Sequence, residues 1–266
     1  MEQGDVTFSF GENWQDYLSR VAPEDVEGSK RDIEEWLGAD FVKGKTVLDI
    51  GSGSGIHSLS FYLLGARAVH SFDLDRRSVA ATESLWEQQG RPGRWRVGHG
   101  SVLDENYLAS LEPSYDIVYS WGVLHQTGSM WQAVDNAMAL VKPGGSLWIS
   151  LYTKGPLYPK HLALKQRYNK ASRMGKRWMV SKRLTRSMLG RAKRLENPFA
   201  WKAKKARGMN VYNDIVDWLG GLPHEVASQD EVVRAGQQRG LSLEKVRMKG
   251  EGGCSIYLLK LPLRGD

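Results

Sequence analysis

The chain of 266 residues has a single cysteine, Cys254. No disulfide can form within it, which excludes the cross-linked scaffolds of small secreted domains and suits a reducing cytoplasm. No apolar run approaches the roughly 20 residues that a membrane-spanning helix needs. The opening Met-Glu-Gln-Gly-Asp lacks the basic and apolar regions of a secretory leader, so no membrane partner is expected. No internal repeat is visible. His70, His99, His161 and His224 show no metal-ligand spacing, and no metal site is expected. No Gly-Lys-Ser or Gly-Lys-Thr follows the one glycine-rich turn, which excludes a phosphate-binding P-loop. The 41% apolar content is enough for a core, and the length allows one large domain or a domain with an insertion.

What is present begins with Thr46-Val-Leu-Asp-Ile-Gly-Ser-Gly-Ser-Gly-Ile-His57. It reads as a short apolar strand, a glycine-rich turn and the start of a helix, with Asp49 near the strand's end. A second acidic cluster, Ser71-Phe-Asp73-Leu-Asp75, closes the next strand-like run. Glycines let backbone approach a ligand closely, and a new helix offers unpaired N–H groups. An acid at the tip of the following strand can take two ribose hydroxyls. The combination points to an adenosine-type cofactor. A dinucleotide fingerprint would need a third glycine where Ile56 stands, which argues against an NAD-dependent oxidoreductase.

Strand-like runs at 46–50, 68–73, 94–98, 115–120 and 145–152 alternate with helical patterns at 55–64, 76–89, 104–110 and 130–141. A helix at 24–38 precedes them. Alternation of this kind predicts a parallel sheet with helices on both faces, binding its ligand at the carboxyl ends of the strands. Further helices are expected at 211–219 and 228–239, then a hairpin of strands 241–248 and 254–261 through Gly250-Glu-Gly-Gly253.

Charge is unevenly spread. Residues 154–207 hold 18 Lys and Arg against one acid, Glu196, for a net +17, while the rest of the chain nets −10. This stretch is helix-compatible, with Leu162, Leu164, Tyr168, Trp178, Met179, Leu184 and Leu189, and is read as an inserted basic helical cap. It divides the chain into a core of 1–153 and 208–266 and a cap of 154–207. Three roles stay open for the cap: a lid over a small or anionic substrate, a patch for RNA or another polyanion, or a solvated surface. Phe8, Phe10, Trp14 and Tyr17 fill an N-terminal arm within 1–40 that either closes over the cofactor as a lid or docks as a simple helix.

Asp49-Ile-Gly51-Ser-Gly53-Ser-Gly55 resembles motif I of the class I S-adenosylmethionine-dependent methyltransferases. Asp73 falls where that family keeps its ribose-binding acid, and Val97-Gly-His-Gly-Ser101-Val102 falls at its adenine turn. Tyr115-Asp-Ile-Val-Tyr-Ser-Trp-Gly-Val-Leu-His125 and Leu140-Val-Lys-Pro-Gly-Gly-Ser-Leu-Trp-Ile149 resemble its fourth strand with the following loop and the entry to its fifth. The likeness covers about residues 40–155, with Ser101 in place of the family's usual acid beside the adenine. It implies a doubly wound α/β fold: a mostly parallel seven-stranded sheet whose antiparallel last strand lies between the fifth and sixth. It also implies S-adenosylmethionine as cofactor and S-adenosylhomocysteine as product. The cofactor-binding set is then Asp49, Gly51, Ser52, Gly53, Gly55, Asp73, Leu74, Ser101, Val102, Ser120 and Trp121.

Methyl transfer is an in-line displacement from a cationic sulfonium, for which Trp121 could offer a π face. His125 stands where a general base would meet the acceptor, with a structural role as the competing reading. Tyr152, Trp14 and Tyr17 are candidate substrate contacts. No Asn-Pro-Pro-Tyr-like run follows the fourth strand, which argues against methylation of adenine amino groups or glutamine amides. The expected activity is methylation of an oxygen or nitrogen of a small acceptor, an anionic one where the basic cap serves as its lid. The alternatives are a methyltransferase acting on RNA or another polyanion, and a non-catalytic nucleotide-binding module.

Overall fold

A computed structural model describes residues 23–195, 197 and 211–263, with Asn213 lacking a described side chain. The arm carrying Trp14 and Tyr17 and the cap residues Glu196 and Trp201 lie outside them. The described chain runs α1 (Pro23–Leu37), β1 (Thr46–Ile50), α2 (Ile56–Leu63), β2 (Ala68–Asp73), α3 (Arg76–Gln88), β3 (Trp95–His99), α4 (Glu105–Ala109) and β4 (Tyr115–Trp121). A 3-10 turn (Leu124–Gln126) leads to α5 (Met130–Ala139) and β5 (Val141–Tyr152). Then come α6 (Tyr158–Lys170), α7 (Arg173–Lys193), α8 (Val211–Gly220), α9 (Gln229–Gln238), β6 (Ser242–Arg247) and β7 (Cys254–Lys260).

The seven strands lie in the order β3-β2-β1-β4-β5-β7-β6. β1 pairs in parallel with both β2 and β4, and β7 is antiparallel to both β5 and β6. The expected intercalated antiparallel strand is present. β1 is buried along most of its length because both sheet faces are covered. Val47 points into a layer shared with Ile33 and Trp36 of α1, Leu59 and Phe61 of α2, and Trp148. Leu48 and Ile50 point into the opposite layer, with Met130, Val134 and Met138 of α5 and Val232 of α9. This alternation is the period-2 geometry of a strand.

Local chemistry sets the helix starts. Asp75 caps α3 by accepting from Arg77 N–H at 2.8 Å, and Ser228 and Glu231 form a reciprocal capping box on α9. β5 begins at Val141, four residues before the expected start. Its first residues pair with Tyr115 before a register shift, and the regular ladder resumes at Ile117 and Ser146.

The basic segment forms α6 and α7, and these pack on α8. Tyr168, Met179, Val180, Val211, Ile215 and Leu219 make a third, smaller core. α8, grouped with the nucleotide-binding part on sequence, therefore packs as part of the cap, because its apolar face meets α6 and α7. The buried Lys165 donates to the carbonyls of Trp218 and, at 3.1 Å, Gly221, and Asn169 donates to Gly220 at 2.9 Å. These bonds satisfy carbonyls that a helix end leaves orphaned. Burial first, then Arg183, lowers the Lys165 ammonium to about 7.

At the opposite end of the sheet from the glycine turn, Asp116 accepts from Thr46 N–H and Oγ1, both at 2.8 Å, and pairs with Lys142. Replacing Asp116 by Ala leaves buried donors unpaired, and we expect a loss of about 1–3 kcal/mol in urea unfolding. An unchanged midpoint would show that this tie contributes nothing.

Candidate active site

The glycine turn sits where the connections of the sheet diverge, β1 leading to β2 on one side and flanked by β4 on the other. Ligands in doubly wound sheets bind at this point. Gly51 N–H and Ser52 N–H both donate to the Phe72 carbonyl, at 2.8 and 3.1 Å, which moors the turn to β2. Gly51 has φ +76°, and a Cβ there would lie 2.4 Å from a Val123 methyl. The residue must be glycine both for its backbone and for the approach of the β4 loop.

Two cavities flank the turn. The smaller, of about 440 Å³, is lined by Asp73, Leu74, Ser101 and Val102 among others. Asp73 Oδ2 accepts from Gly53 N–H at 3.0 Å, and Oδ1 accepts from Asp75 N–H at 2.9 Å. Each oxygen has spent one acceptor position and keeps another. That pair of acceptor oxygens fits the two vicinal hydroxyls of a ribose. Burial, stronger than the backbone hydrogen bonds that oppose it, raises Asp73 to about 6. Ser101 accepts from Leu103 N–H at 3.1 Å while its residue lines the wall.

The larger cavity, of about 620 Å³, runs from Asp49 and the glycine turn past Tyr119, Trp121, His125 and Tyr152. Arg183 and Ser187 of α7 and Asp214, Asp217 and Trp218 of α8 lie over it. Gly51, Gly53, Trp121, Gly122 and Gln126 line both cavities and form the junction between them.

Asp49 is buried and accepts from Ser58 Oγ at 2.5 Å. Ser58 Oγ in turn accepts from Ser71 Oγ, and Ser71 Oγ from Trp95 Nε1. Burial raises Asp49 to about 7, Ser58 opposes the rise, and Asp73 adds to it. A carboxylate held this high gains from a cationic ligand group, and the ammonium of an amino-acid moiety is one.

The structure brings Asp49, Gly51, Ser52, Gly53, Asp73, Leu74, Ser101, Val102, Trp121, His125 and Tyr152 to the cavity walls. Two expected contacts have other work. Ser120 lines neither cavity; its hydroxyl donates to the Ile50 carbonyl at 2.9 Å and ties β4 to β1. Gly55 also lines neither. Its φ of +77° starts α2, and a Cβ there would lie 2.8 Å from the Thr82 backbone. His125 is wholly buried, its ring 4.0 Å from that of Tyr152. Burial, then His224 and Lys165, lowers its imidazole to about 3. It is neutral at neutral pH and a weak proton acceptor, which favours the structural reading.

Sequence reading gave no role to Gln126 or Arg183 and favoured helix packing over a cofactor-edge contact for His57, yet all three line the larger cavity. Gln126 follows His125 at the junction and bonds the Tyr152 hydroxyl. His57 stacks on Tyr119 at 5.0 Å between ring centroids and lies 3.7 Å from Asp32. Arg183 lies 3.8 Å over the Trp218 ring. No local pattern marks Gln126 or Arg183, and Arg183 joins this wall only when the cap folds over the strand ends. Among the described residues no cluster of His, Cys, Asp or Glu could hold a metal ion, and no helix is long and apolar enough to cross a membrane.

Residues 12–197 match the family described as Methyltransferase domain. The chain belongs to that family. Ribosomal protein L11 methyltransferase of Acinetobacter baumannii (strain SDF) is 40% identical over 73 residues, 27% of this chain and 24% of that one. The chain thus spans about a quarter of that relative's length. Magnesium protoporphyrin IX methyltransferase of Synechocystis PCC 6803, solved with S-adenosylhomocysteine, is similar over 95% of this chain and 94% of its own. Its TM-score is 0.54, at 16% identity. A Burkholderia thailandensis 1,6-didemethyltoxoflavin-N1-methyltransferase is similar over 94% of this chain and 83% of its own, with a TM-score of 0.51 at 13% identity. The fold is that of the class I S-adenosylmethionine-dependent methyltransferases.

The two raised carboxylates make a signed pH prediction for this methyltransferase domain. Asp49 and Asp73 take up protons as pH falls through about 7 and about 6. The ionised forms are the ones that would take an ammonium and ribose hydroxyls, so S-adenosylmethionine should bind more weakly at pH 5.5 than at pH 8. Calorimetry should read a loss on the order of tenfold. Asp73→Ala should weaken binding at least as much at pH 8 with the thermal midpoint preserved. Affinity unchanged in either experiment would remove these carboxylates from the cofactor site.

Proposed function

We propose that the chain is an S-adenosylmethionine-dependent methyltransferase that transfers the methyl group to an oxygen or nitrogen of a small molecule held beneath the cap. The observation that carries this reading is the pair of joined cavities. The smaller suits a nucleoside. The larger is roofed by α7 and α8, and its volume of about 620 Å³ is that of a pocket for a drug-sized ligand. The name of the ribosomal protein L11 methyltransferases makes a protein acceptor the main competitor.

In this reading Asp73 holds the ribose, Ser101 and Val102 flank the adenine, and Asp49 with the glycine turn supports the amino-acid end. The bound cofactor supplies an electrophilic methyl on a cationic sulfonium. Trp121 at the junction offers a π face to positive charge. Tyr152 and Trp218 give the acceptor flat apolar walls, and Gln126 supplies a polar anchor. Most of the rate comes from holding the acceptor in line beneath α7 and α8. Arg183 and Lys249 can pair with an anionic group on the acceptor, while Asp214 and Asp217 are the carboxylates that face it from the cap. One of these two, Asp217, sits close enough to Tyr152 and Lys165 to shift both, and we assign it the acceptor's proton in place of His125.

Incubating the protein with methyl-labelled S-adenosylmethionine and separate pools of small hydroxylated and amino compounds, single-stranded RNA and ribosomal protein tests the substrate class. Label should enter the small-molecule pool. Label confined to RNA or protein would overturn the reading, and intact cofactor binding without label in any pool would favour a non-catalytic module. Asp217→Asn should lower kcat on the order of 10²-fold with cofactor affinity unchanged. His125→Gln should stay within roughly tenfold and leave the pH–rate profile in place. The reverse pattern would restore His125 as the base.

A further inference from the structure

α7 has two working faces. Arg183 and Ser187 look into the larger cavity, and Met179 and Val180 are buried in the cap's own core. At 100° per residue, Met174, Trp178 and Leu189 fall together on the opposite side, within about 60° of one another. They are 82%, 57% and 58% exposed. The stripe is about 22 Å long at 1.5 Å per residue. Arg173 and Arg177 flank it on one side, and Lys182, Arg186 and Lys193 on the other. The helix contains eight basic residues and no acidic one. Lys182 lies 4.8 Å over the Trp178 ring, its ammonium carried beside the apolar line.

Ser181 and Thr185 lie on the same face between Trp178 and Leu189, so the face is amphipathic, and large apolar side chains exposed on one side of a helix this basic mark a contact surface. We propose that the outward face of α7 docks on an anionic lipid surface. Basic residues on both flanks complement lipid phosphates, and their long stems let the charges reach outward while the apolar atoms between them enter the acyl boundary. Methionine and leucine distinguish this from a nucleic-acid site, where flat rings would stack on bases and aliphatic chains would find little to bury. An acidic protein could match the charge, but Met174, Trp178 and Leu189 line neither of the two cavities that could take an anchoring side chain. Such docking needs no membrane-spanning helix, so the absence of a long apolar run in the sequence does not bear on it. Because the same helix roofs the larger cavity, the lipid surface would lie against the outer side of the acceptor's roof.

The test is co-sedimentation of the full chain with vesicles of phosphatidylcholine alone and of phosphatidylcholine with phosphatidylglycerol, at low and high salt. The protein should pellet with the anionic vesicles alone, and high salt should weaken the binding. The triple variant Met174→Ser/Trp178→Ser/Leu189→Ser lies outside both cavities. It should lose binding to anionic vesicles at least tenfold while keeping its thermal midpoint. Arg177→Glu/Lys182→Glu should lose it as well. Absence of binding to anionic vesicles would overturn the proposal, as would equal binding by the triple variant. Binding to single-stranded RNA that the triple variant retains, with no vesicle binding, would assign the face to nucleic acid instead.

Discussion

The hydrogen bonds that moor the glycine turn to the end of β2 are the constraint on which the rest of the site depends. Gly51 and Ser52 give their N–H groups to Phe72, and Gly53 gives its own to the Asp73 carboxylate. Three consecutive donors thus fix the loop after β1 against the end of β2, which closes on Asp73. On its other side the turn meets Val123, so tightly that no Cβ fits at Gly51. The turn therefore fixes the relative places of β2 and the β4 loop, and with them the junction between the two cavities.

Electrostatics around that turn run against ordinary solvation. Asp49 and Asp73 are buried near one another, and each is pushed above the usual carboxylate range. A cationic group near Asp49 or paired hydroxyls on Asp73 would relieve this strain, which is the electrostatic pattern of a ligand-binding site. On the cap side the pattern is reversed. Lys165, His125 and His224 are all held below their ordinary values, first by burial and then by neighbouring cations: Arg183 acts on Lys165, and Lys165 acts on both histidines. Part of the wall beneath the cap therefore carries less positive charge than its sequence suggests, while much of the basic charge of α7 faces solvent.

Much of this was legible in the chain itself. The alternation of strands and helices, the turn at 51–55, Asp73 and the intercalated last strand all come from local spacing and family likeness, because they are built from contiguous residues. Less legible was everything that depends on two distant segments meeting. Nothing in Ser120-Trp-Gly shows that the serine hydroxyl turns back to Ile50. The fate of His125 depends on Lys165 and His224, which reach it from the cap and from the segment before α9. Gln126, Arg183 and Asp217 become one wall only after α7 and α8 fold over the strand ends. The amphipathic pattern of α8 reveals an apolar face but not that its partners are α6 and α7.

The place of β7 has a consequence for how the chain assembles. Thr153 and Ser255, bonded across the β5–β7 edge, are 102 positions apart. While the ribosome makes α6 through β6, the long edge of β5 has no neighbour, and β6 is finished before the strand it must pair with exists. An open edge of Leu147, Trp148, Ile149 and Leu151 is the kind of surface that draws stray strands. The cap helices α6, α7 and α8 are all made before β7 and need no strand of the sheet's far edge to pack on one another, so they can form during that interval. The nascent protein should therefore pass through a stage with a formed cap and an unfinished sheet, and at that stage it has most need of a chaperone.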